Sequence, residues 1–221
     1  MHEERKTDTL RVVIVDDHDL FRTGLRNLLE EQGVQIVSEA ASGAEAVHAV
    51  REHAPDVVVM DLNMPGMNGV EATRQITSLA PLTRVVMLTI SDQESDVMDA
   101  ILAGACGYLL KDSSILDLMT GIEAASRGES LISPAIAAKL LQRVRATSAR
   151  PEIARAIRAE LSDREIEVLK LIANGKDNAV IAAELHISPK TVKNHISNIL
   201  MKLQIDNRIQ AAVYAVRSGI V

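Results

Sequence analysis

Side chains that can do chemistry follow several short apolar runs in the first half of the 221-residue chain. They are carboxylates, a hydroxyl and an ammonium: Asp16, Asp17, Asp61, Thr89 and Lys111. Carboxylate oxygens are good ligands for Mg²⁺, and a lysine supplies a point charge to a phosphate group. If the fold brings these residues together, they predict a site for a divalent cation and a phosphoryl group.

The runs that precede these residues predict the fold that positions them. Continuous Val-rich runs are typical of strands buried on both faces of a parallel sheet. The predicted strands are 11–15, 35–40, 57–60, 85–89 and 107–110. The predicted helices between and after them are 18–32, 44–53, 70–79, 92–103 and 115–127. This alternation predicts a flavodoxin-like, doubly wound α/β fold with a five-stranded parallel sheet of order 2-1-3-4-5.

Start signals support two of these helices, because Ser42 with Glu45 and Ser91 with Glu94 have the spacing of a capping box. In a doubly wound sheet, ligands bind outside the carboxyl ends of the strands. The five reactive residues are therefore expected at one edge of the sheet.

Composition narrows the class of protein. The apolar fraction of 47% and the charged fraction of 24% are typical of a globular protein. No apolar stretch approaches the roughly 20 residues that span a bilayer, and residues 1–9 are unlike a signal peptide. We therefore expect a cytoplasmic protein with no membrane partner. The single cysteine, Cys106, excludes an internal disulfide and has no zinc-site spacing.

Charge is spread unevenly along the chain. Residues 1–130 hold 10 Lys and Arg against 22 Asp and Glu, a net charge of -12, and the other 91 residues hold 14 against 8, a net charge of +6. A basic second half is a hint of nucleic-acid contact. A solvated basic face would give the same count, so both interpretations stay open at this point.

The second half changes to a helical period. Predicted helices cover 162–175, 178–185, 189–203 and 207–217. Ser188 has the properties of an N-cap, and Pro189 follows at the first helical position. Two short helices with a tight turn before the second predict a helix-turn-helix within a smaller, all-α, four-helix domain.

The first half resembles the receiver domain of bacterial response regulators. The resemblance rests on Val13 to Asp17, Met60 to Gly69, Thr89, and Gly107 to Lys111. It implies that Asp61 accepts a phosphoryl group from a sensor histidine kinase. It also implies a Mg²⁺ or Mn²⁺ ion held by Asp16, Asp17, Asp61 and the backbone carbonyl of Asn63.

The same resemblance gives roles to the remaining pocket residues. Lys111 would pair with Asp61 or its phosphoryl group, and Thr89 would donate its hydroxyl to a phosphoryl oxygen. Tyr108 resembles the aromatic switch that follows this threonine, although a plain core role is the alternative. Such a chain phosphorylates itself from a phosphodonor and slowly loses the group, but is otherwise not an enzyme.

The second half resembles the LuxR-type DNA-binding domain of the NarL and FixJ class of response regulators. The resemblance rests on Leu161 to Glu165, Val168 to Ala173, Ile181 and Ala182, Ile187 and Ser188, Thr191 to His195, and Lys202 with Leu203. It makes 189–203 the recognition helix, with Ile196 and Ile199 facing the core. The predicted contacts to duplex DNA are Lys193, Asn194 and Ser197 in the major groove and Lys190, Thr191 and Lys202 at phosphates.

These interpretations predict three segments. Residues 1–128 form the receiver domain, 129–160 a partly helical linker that begins near Ser133, and 161–221 the helix-turn-helix domain. We expect a DNA-binding transcriptional regulator that forms a homodimer on DNA or on phosphorylation, and the resemblance also allows a contact with RNA polymerase.

Three alternatives remain at the level of the sequence. A phosphohydrolase of the haloacid dehalogenase type would share Asp61 and Lys111, but it needs a second acid where this chain has Asn63. A degenerate regulator would bind DNA without phosphorylation, which an intact set of pocket residues disfavours. An adaptor without DNA binding is disfavoured by the residues from Lys190 to Asn194.

Overall fold

The first part of the chain forms a parallel sheet with helices packed on both faces. The computed structural model describes residues 9–91, 93–129, 131–132 and 160–220. The first five strands are β1 (Arg11–Val15), β2 (Gln35–Ala40), β3 (Val57–Met60), β4 (Arg84–Thr89) and β5 (Gly107–Leu110). The helices are α1 (Asp19–Glu31), α2 (Gly43–His53), α3 (Gly69–Leu79), α4 (Glu94–Leu102) and α5 (Ile115–Ser126).

The strand order β2-β1-β3-β4-β5 confirms the predicted topology. Successive β1 side chains enter two different cores, because Val13 packs on one face of the sheet and Ile14 on the other. A sixth strand, β6 (Leu131–Ile132), adds to the edge of the sheet and pairs in parallel with β5. The five predicted strands are all present in the predicted order, and this two-residue strand is an addition at the sheet edge.

The strand register aligns the carboxyl ends that carry the reactive residues. Val15 at the end of β1 pairs with Met60 at the end of β3. Asp16 and Asp61, the next residues of these two strands, therefore leave the sheet side by side. The sheet edge predicted to hold the site is thus built by the pairing of β1 with β3.

Two of the predicted capping boxes differ in the structure. Helix α4 has Gln93 at its N-cap without a side-chain bond, because Ser91 Oγ donates to the carboxylate of Asp96 instead. At α2, Ser42 Oγ accepts the Glu45 N–H, but the Glu45 carboxylate accepts the N–H of Ala41, one residue before the N-cap. At α2 the spacing therefore predicted the bond from the Glu45 N–H to Ser42 correctly, but not the partner of the Glu45 carboxylate. At α4 it predicted neither bond of the capping box correctly.

The second part of the chain is helical, as predicted. Its helices are α6 (Asp163–Ala173), α7 (Asn178–Glu184), α8 (Pro189–Leu203) and α9 (Arg208–Arg217). Helix α6 begins with a complete capping box between Ser162 and Glu165. Val168, Ile181 and Ile199 are fully buried where α6, α7 and α8 meet. This core fixes the angle between the two helices of the helix-turn-helix.

Buried hydrogen bonds join the two parts at the amino end of α9. Asn207 Nδ2 donates to the carbonyl oxygens of Gly104 at 3.2 Å and Ala105 at 3.0 Å. Gln210 Nε2 donates to the carbonyl oxygen of Ile101 at 2.9 Å. We call these three bonds the α4–α9 contact. They attach the helix-turn-helix part to α4 and to the turn that leads into β5.

The predicted linker helix that begins near Ser133 lies outside the described residues. Across the described ranges, every helix is too short or too polar to cross a membrane.

Candidate functional site

Two buried carboxylates and one lysine meet at the carboxyl edge of the sheet. Asp16 is 2% exposed and Asp61 is 4% exposed. Lys111 Nζ lies 2.6 Å from Asp16 Oδ2 and 2.9 Å from Asp61 Oδ2. The structure thus brings together three residues that are separated by up to 95 positions in the sequence.

The charges of this cluster stabilise one another. Burial disfavours the charged form of Lys111, but hydrogen bonds and charge from Asp16 and Asp61 outweigh burial and raise the pKa of Lys111. The Lys111 ammonium also lies 4.5 Å from the ring centroid of Phe21. Asp61 Oδ1 accepts the N–H of Leu62 at 2.7 Å. Both oxygens of Asp61 are therefore held in place.

The acidic cluster has the donor set of a cation site. Asp16, Asp17, His18 and Asp61 each offer a ligand atom, and these atoms lie within 4.8 Å of one another. Within the part of the chain that is described, the enclosed Asp17 Oδ1 accepts no hydrogen bond, although His18 Nδ1 lies 2.9 Å away. A buried carboxylate oxygen that accepts no hydrogen bond fits a hard cation such as Mg²⁺.

The two predicted switch residues are linked through a residue that sequence reasoning missed. Thr89 and Tyr108 are both fully buried. The Ser91 N–H donates to Thr89 Oγ1 at 3.3 Å, and the Tyr108 hydroxyl donates to the Ser91 carbonyl oxygen at 2.9 Å. Ser91 therefore connects the strand end that faces the pocket with the start of α4.

A glycine at the start of α3 sets the close packing around Asp61. The Gly69 N–H donates to the carbonyl oxygen of Leu62 at 2.8 Å. A Cβ atom at Gly69 would lie 2.1 Å from the Asp61 carbonyl oxygen and 2.9 Å from Leu62 Cα. These contacts are with backbone atoms, so any side chain at this position would displace the chain at Asp61. Gly69 ends the stretch from Met60 to Gly69 that carries the family resemblance. The sequence did not show that its backbone packs against the carbonyl oxygen of Asp61.

Helix α8 separates a buried face from a polar one. Ser188 Oγ accepts the Thr191 N–H at 3.0 Å, and Pro189 occupies the first turn. Val192, Ile196 and Ile199 are buried. The exposed residues include four of the predicted DNA contacts: Lys190, Lys193, Asn194 and Ser197. The polar face is thus held at a fixed angle by the core beneath it.

Lys202, another predicted DNA contact, has a partner within the protein. Its ammonium lies 2.7 Å from Glu165 Oε2, and the same carboxylate accepts the Ser162 N–H. Burial disfavours the charged Glu165, but the bonds from Lys202 and Ser162 outweigh it and lower the pKa of Glu165. Lys202 therefore ties the end of α8 to the start of α6.

Part of the polar face of α8 faces the α/β part of the chain. Lys193 and Ser197 line a cleft of about 580 Å³ whose other wall includes Arg84 and Arg127. We call it the interdomain cleft. A DNA major groove is about 12 Å wide, and a recognition helix must insert its polar face into that groove to contact bases. Lys193 and Ser197 could not enter a major groove while a ligand or the α/β part occupied this cleft, whereas Lys190 and Asn194 lie outside it.

An acidic pocket with a lysine at the end of a 2-1-3-4-5 sheet, followed by a helix-turn-helix, defines a response regulator with a receiver domain and a DNA-binding domain. Comparison with protein families agrees with this class. Residues 12–123 match the response regulator receiver domain, and residues 159–215 match the bacterial regulatory proteins of the luxR family. The chain therefore belongs to the NarL/LuxR class of bacterial response regulators.

Similar proteins share both parts. The transcriptional regulatory protein LiaR of Bacillus subtilis is 43% identical over 215 residues, which cover 96% of this chain and 99% of LiaR. The crystal structure of ChrA, a response regulator of a heme-sensing two-component system, is 36% identical with a TM-score of 0.53 and covers 96% of this chain and 99% of its own. A structure of two RcsB dimers bound to two parallel DNAs is 25% identical with a TM-score of 0.56, covering 95% and 99%.

Proposed function

We propose that this protein is a cytoplasmic transcription factor whose binding to duplex DNA is controlled by phosphorylation of Asp61 from a sensor histidine kinase. The observation that carries this proposal is the position of Asp61. It is buried at the sheet edge beside Asp16, and its carboxylate is bonded to Lys111. A buried carboxylate with a cation at hydrogen-bonding distance is suited to receive a phosphoryl group and to hold it afterwards.

In the proposed reaction, a carboxylate oxygen of Asp61 forms a bond to phosphorus as the P–N bond of the donor phosphohistidine breaks. The ammonium of Lys111 stays charged at neutral pH, because its pKa is raised, and so it can neutralise a phosphoryl oxygen. Asp16, Asp17, Asp61 and the carbonyl of Asn63 would hold Mg²⁺ or Mn²⁺. When bound, the ion supplies positive charge that reduces repulsion between the carboxylate and the phosphoryl oxygens.

The phosphoryl signal is proposed to travel through the Ser91 hydrogen bonds. Thr89 Oγ1 now accepts from Ser91, and it would turn to donate to a phosphoryl oxygen. Ser91 also holds Tyr108 and Asp96, so this rearrangement acts on the start of α4. Since the other end of α4 carries the α4–α9 contact, the two domains would separate. The change is a population shift between closed and open arrangements.

In the open arrangement the polar face of α8 would enter a major groove. Lys193, Asn194 and Ser197 are proposed to reach base edges, and Lys190 and Thr191 to contact phosphates. Lys202 would contact phosphate only by sharing its charge with Glu165. The RcsB structure contains dimers on DNA, which supports a homodimer here. A single domain with a small positive charge binds DNA weakly, so pairing of half-sites would raise the affinity.

The test is phosphorylation by acetyl phosphate with Mg²⁺, followed by mass spectrometry and DNA binding to a site selected from random sequence. The wild type should gain one phosphoryl group and bind DNA more tightly. Asp61→Asn should gain none and keep its basal affinity, whereas the matched control Asp163→Asn, which changes an exposed carboxylate on α6, should behave as wild type. A response to acetyl phosphate in Asp61→Asn would show that the input lies elsewhere.

A further inference from the structure

The interdomain cleft has the size of a small-molecule site. Its volume of about 580 Å³ falls within the roughly 300–1,000 Å³ of typical ligand pockets. Its walls come from both domains, with Arg84 and Ala124 on the receiver side and Lys193, Leu200 and Arg208 on the other. A ligand in this cleft would therefore contact both domains at once.

Cations outnumber anions in the cleft. Five cationic and three acidic side chains line it: Arg84, Arg127, Lys176, Lys193, Arg208, Glu129, Asp177 and Asp206. Arg127 pairs with Glu129, and Lys176 pairs with Glu184. Among the described residues, Arg84, Lys193 and Arg208 form no ion pair with a carboxylate. Three cations without an ion-pair partner in the described part of the chain, from two domains, thus share this space with two acidic side chains, Asp177 and Asp206.

Arg208 shows the effect of this imbalance most clearly. Its guanidinium donates to Asn178 Oδ1 at 2.6 Å and to the carbonyl oxygen of Lys176, both of which are neutral acceptors. Burial lowers the pKa of Arg208, and the charges of Asp177 and Glu129 offset that effect only in part. A partly buried charge with neutral partners is unfavourable. An anion beside it would supply the missing compensation.

We propose that the interdomain cleft binds a small organic diphosphate, with its phosphates between Arg84, Lys193 and Arg208. Guanidinium groups match phosphate oxygens with two parallel hydrogen bonds, which favours phosphate among anions. Ala124, Ile196 and Leu200 also line the cleft and give apolar surface to the organic part of the ligand. The bound ligand would hold the two domains together.

A ligand in this cleft would oppose DNA binding. Lys193 cannot bind the ligand and DNA together, and the ligand binds only the closed arrangement. At ten times its dissociation constant, the ligand should raise the apparent dissociation constant for DNA about elevenfold. This competition rests on the proposed function of Lys193, whereas binding of the diphosphate does not.

The probe is ADP, titrated by calorimetry into the unphosphorylated full-length protein at constant ionic strength with EDTA present. Arg84→Gln should raise the dissociation constant for ADP about tenfold or more, because one charge-assisted pair of hydrogen bonds is lost. Arg84→Lys keeps the charge and should lose less. The matched control is Arg51→Gln, which removes an exposed arginine of α2 and should leave ADP binding unchanged.

Two results would overturn the proposal. One is the absence of ADP binding to the wild-type protein. The other is ADP binding that survives in Arg84→Gln but is lost in Lys193→Gln, since that pattern places the anion on the DNA-binding face alone. If Arg84→Gln and Lys193→Gln both lose ADP binding but ADP does not compete with DNA, the cleft site stands and the proposed DNA contact of Lys193 fails.

Discussion

Asn207 offers a substitution that separates the contact between domains from the folding of α9. Its Oδ1 accepts the N–H groups of Ile209 and Gln210, each at 3.0 Å, and so caps the helix. Its Nδ2 makes the two bonds to the receiver domain. Asn207→Asp keeps the capping oxygen and adds a negative charge, which is favourable at a helix amino end. It replaces the donor with an acceptor that faces two carbonyl oxygens.

The structure gives the expected size of the effect. Each hydrogen bond contributes about 1 kcal/mol net, so the loss of two weakens the closed arrangement by at least about 2 kcal/mol, to which repulsion between the carboxylate and the two carbonyl oxygens adds. This shifts the equilibrium between closed and open forms at least about 30-fold. Unphosphorylated Asn207→Asp should therefore bind DNA about 30-fold more tightly than the unphosphorylated wild type, or more. The affinity of the phosphorylated wild type sets the upper limit.

Gln210 provides a matched, smaller perturbation. Its Oε1 accepts the Asp206 N–H at 2.8 Å, while its Nε2 donates to the Ile101 carbonyl oxygen at 2.9 Å and, within its own domain, to Asp206 Oδ2 at 3.4 Å. Gln210→Glu keeps the acceptor and removes one donor, so the gain in DNA affinity should be about fivefold, equivalent to about 1 kcal/mol.

Fluorescence anisotropy with a selected DNA site measures these affinities. Hydrogen exchange at residues 101–105 reports separation of the domains independently. If both variants exchange faster there but bind DNA no better than the wild type, then the α4–α9 contact does not restrain DNA binding. Faster hydrogen exchange at Ile209 and Gln210, whose N–H groups Asn207 caps, than in Gln210→Glu would refute the assumption that the cap is preserved.

Gly69→Ala should reduce phosphorylation by acetyl phosphate and lower the unfolding temperature, because its Cβ would overlap a carbonyl oxygen; Gly24→Ala, whose Cβ has open space in α1, should stabilise the protein by up to about 1 kcal/mol. The lowered pKa of Glu165 means that its contribution to stability is complete above the ordinary pKa of a glutamate and is lost as the pH falls through the lowered pKa of the folded state. Glu165→Gln should therefore flatten the dependence of the urea midpoint on pH between about pH 5 and 3. Ile199→Ala removes a fully buried side chain of α8 and should cost about 2–5 kcal/mol in urea unfolding, whereas Met201→Ala, 70% exposed, should cost under about 0.5 kcal/mol.

Local patterns were sufficient to predict most of the fold. The apolar runs that end at Asp16, Asp61, Thr89 and Lys111 gave both the strands and the edge where these residues meet, because period and burial act over a few neighbouring residues. The same patterns were insufficient at Ser91. Its spacing to Glu94 is that of a capping box, but its hydroxyl donates to the Asp96 carboxylate instead. Several acceptors lie within reach of this hydroxyl, and the spacing of residues along the sequence does not determine which of them it binds.

Contacts between residues that are far apart in the sequence could not be predicted from local sequence patterns. Lys202 has the position of a DNA contact in α8, but its partner Glu165 precedes it by 37 residues. The bonds of Asn207 to the receiver span 102 and 103 residues. They join a side chain to backbone carbonyl oxygens. Every residue has such a carbonyl, so the residue types in the sequence do not show which carbonyl accepts the bond.

The long separation within the α4–α9 contact also orders events during synthesis. A ribosome that adds about 5 to 20 residues per second needs about 5 to 20 s to pass from Ala105 to Asn207, which are 102 residues apart. During that interval the acceptor carbonyls of the turn before β5 have no partner from α9. Because domains generally fold as units, the amino-terminal one first, we expect each new receiver domain to fold before α9 is made and each new molecule to pass through an open state before the domains first close.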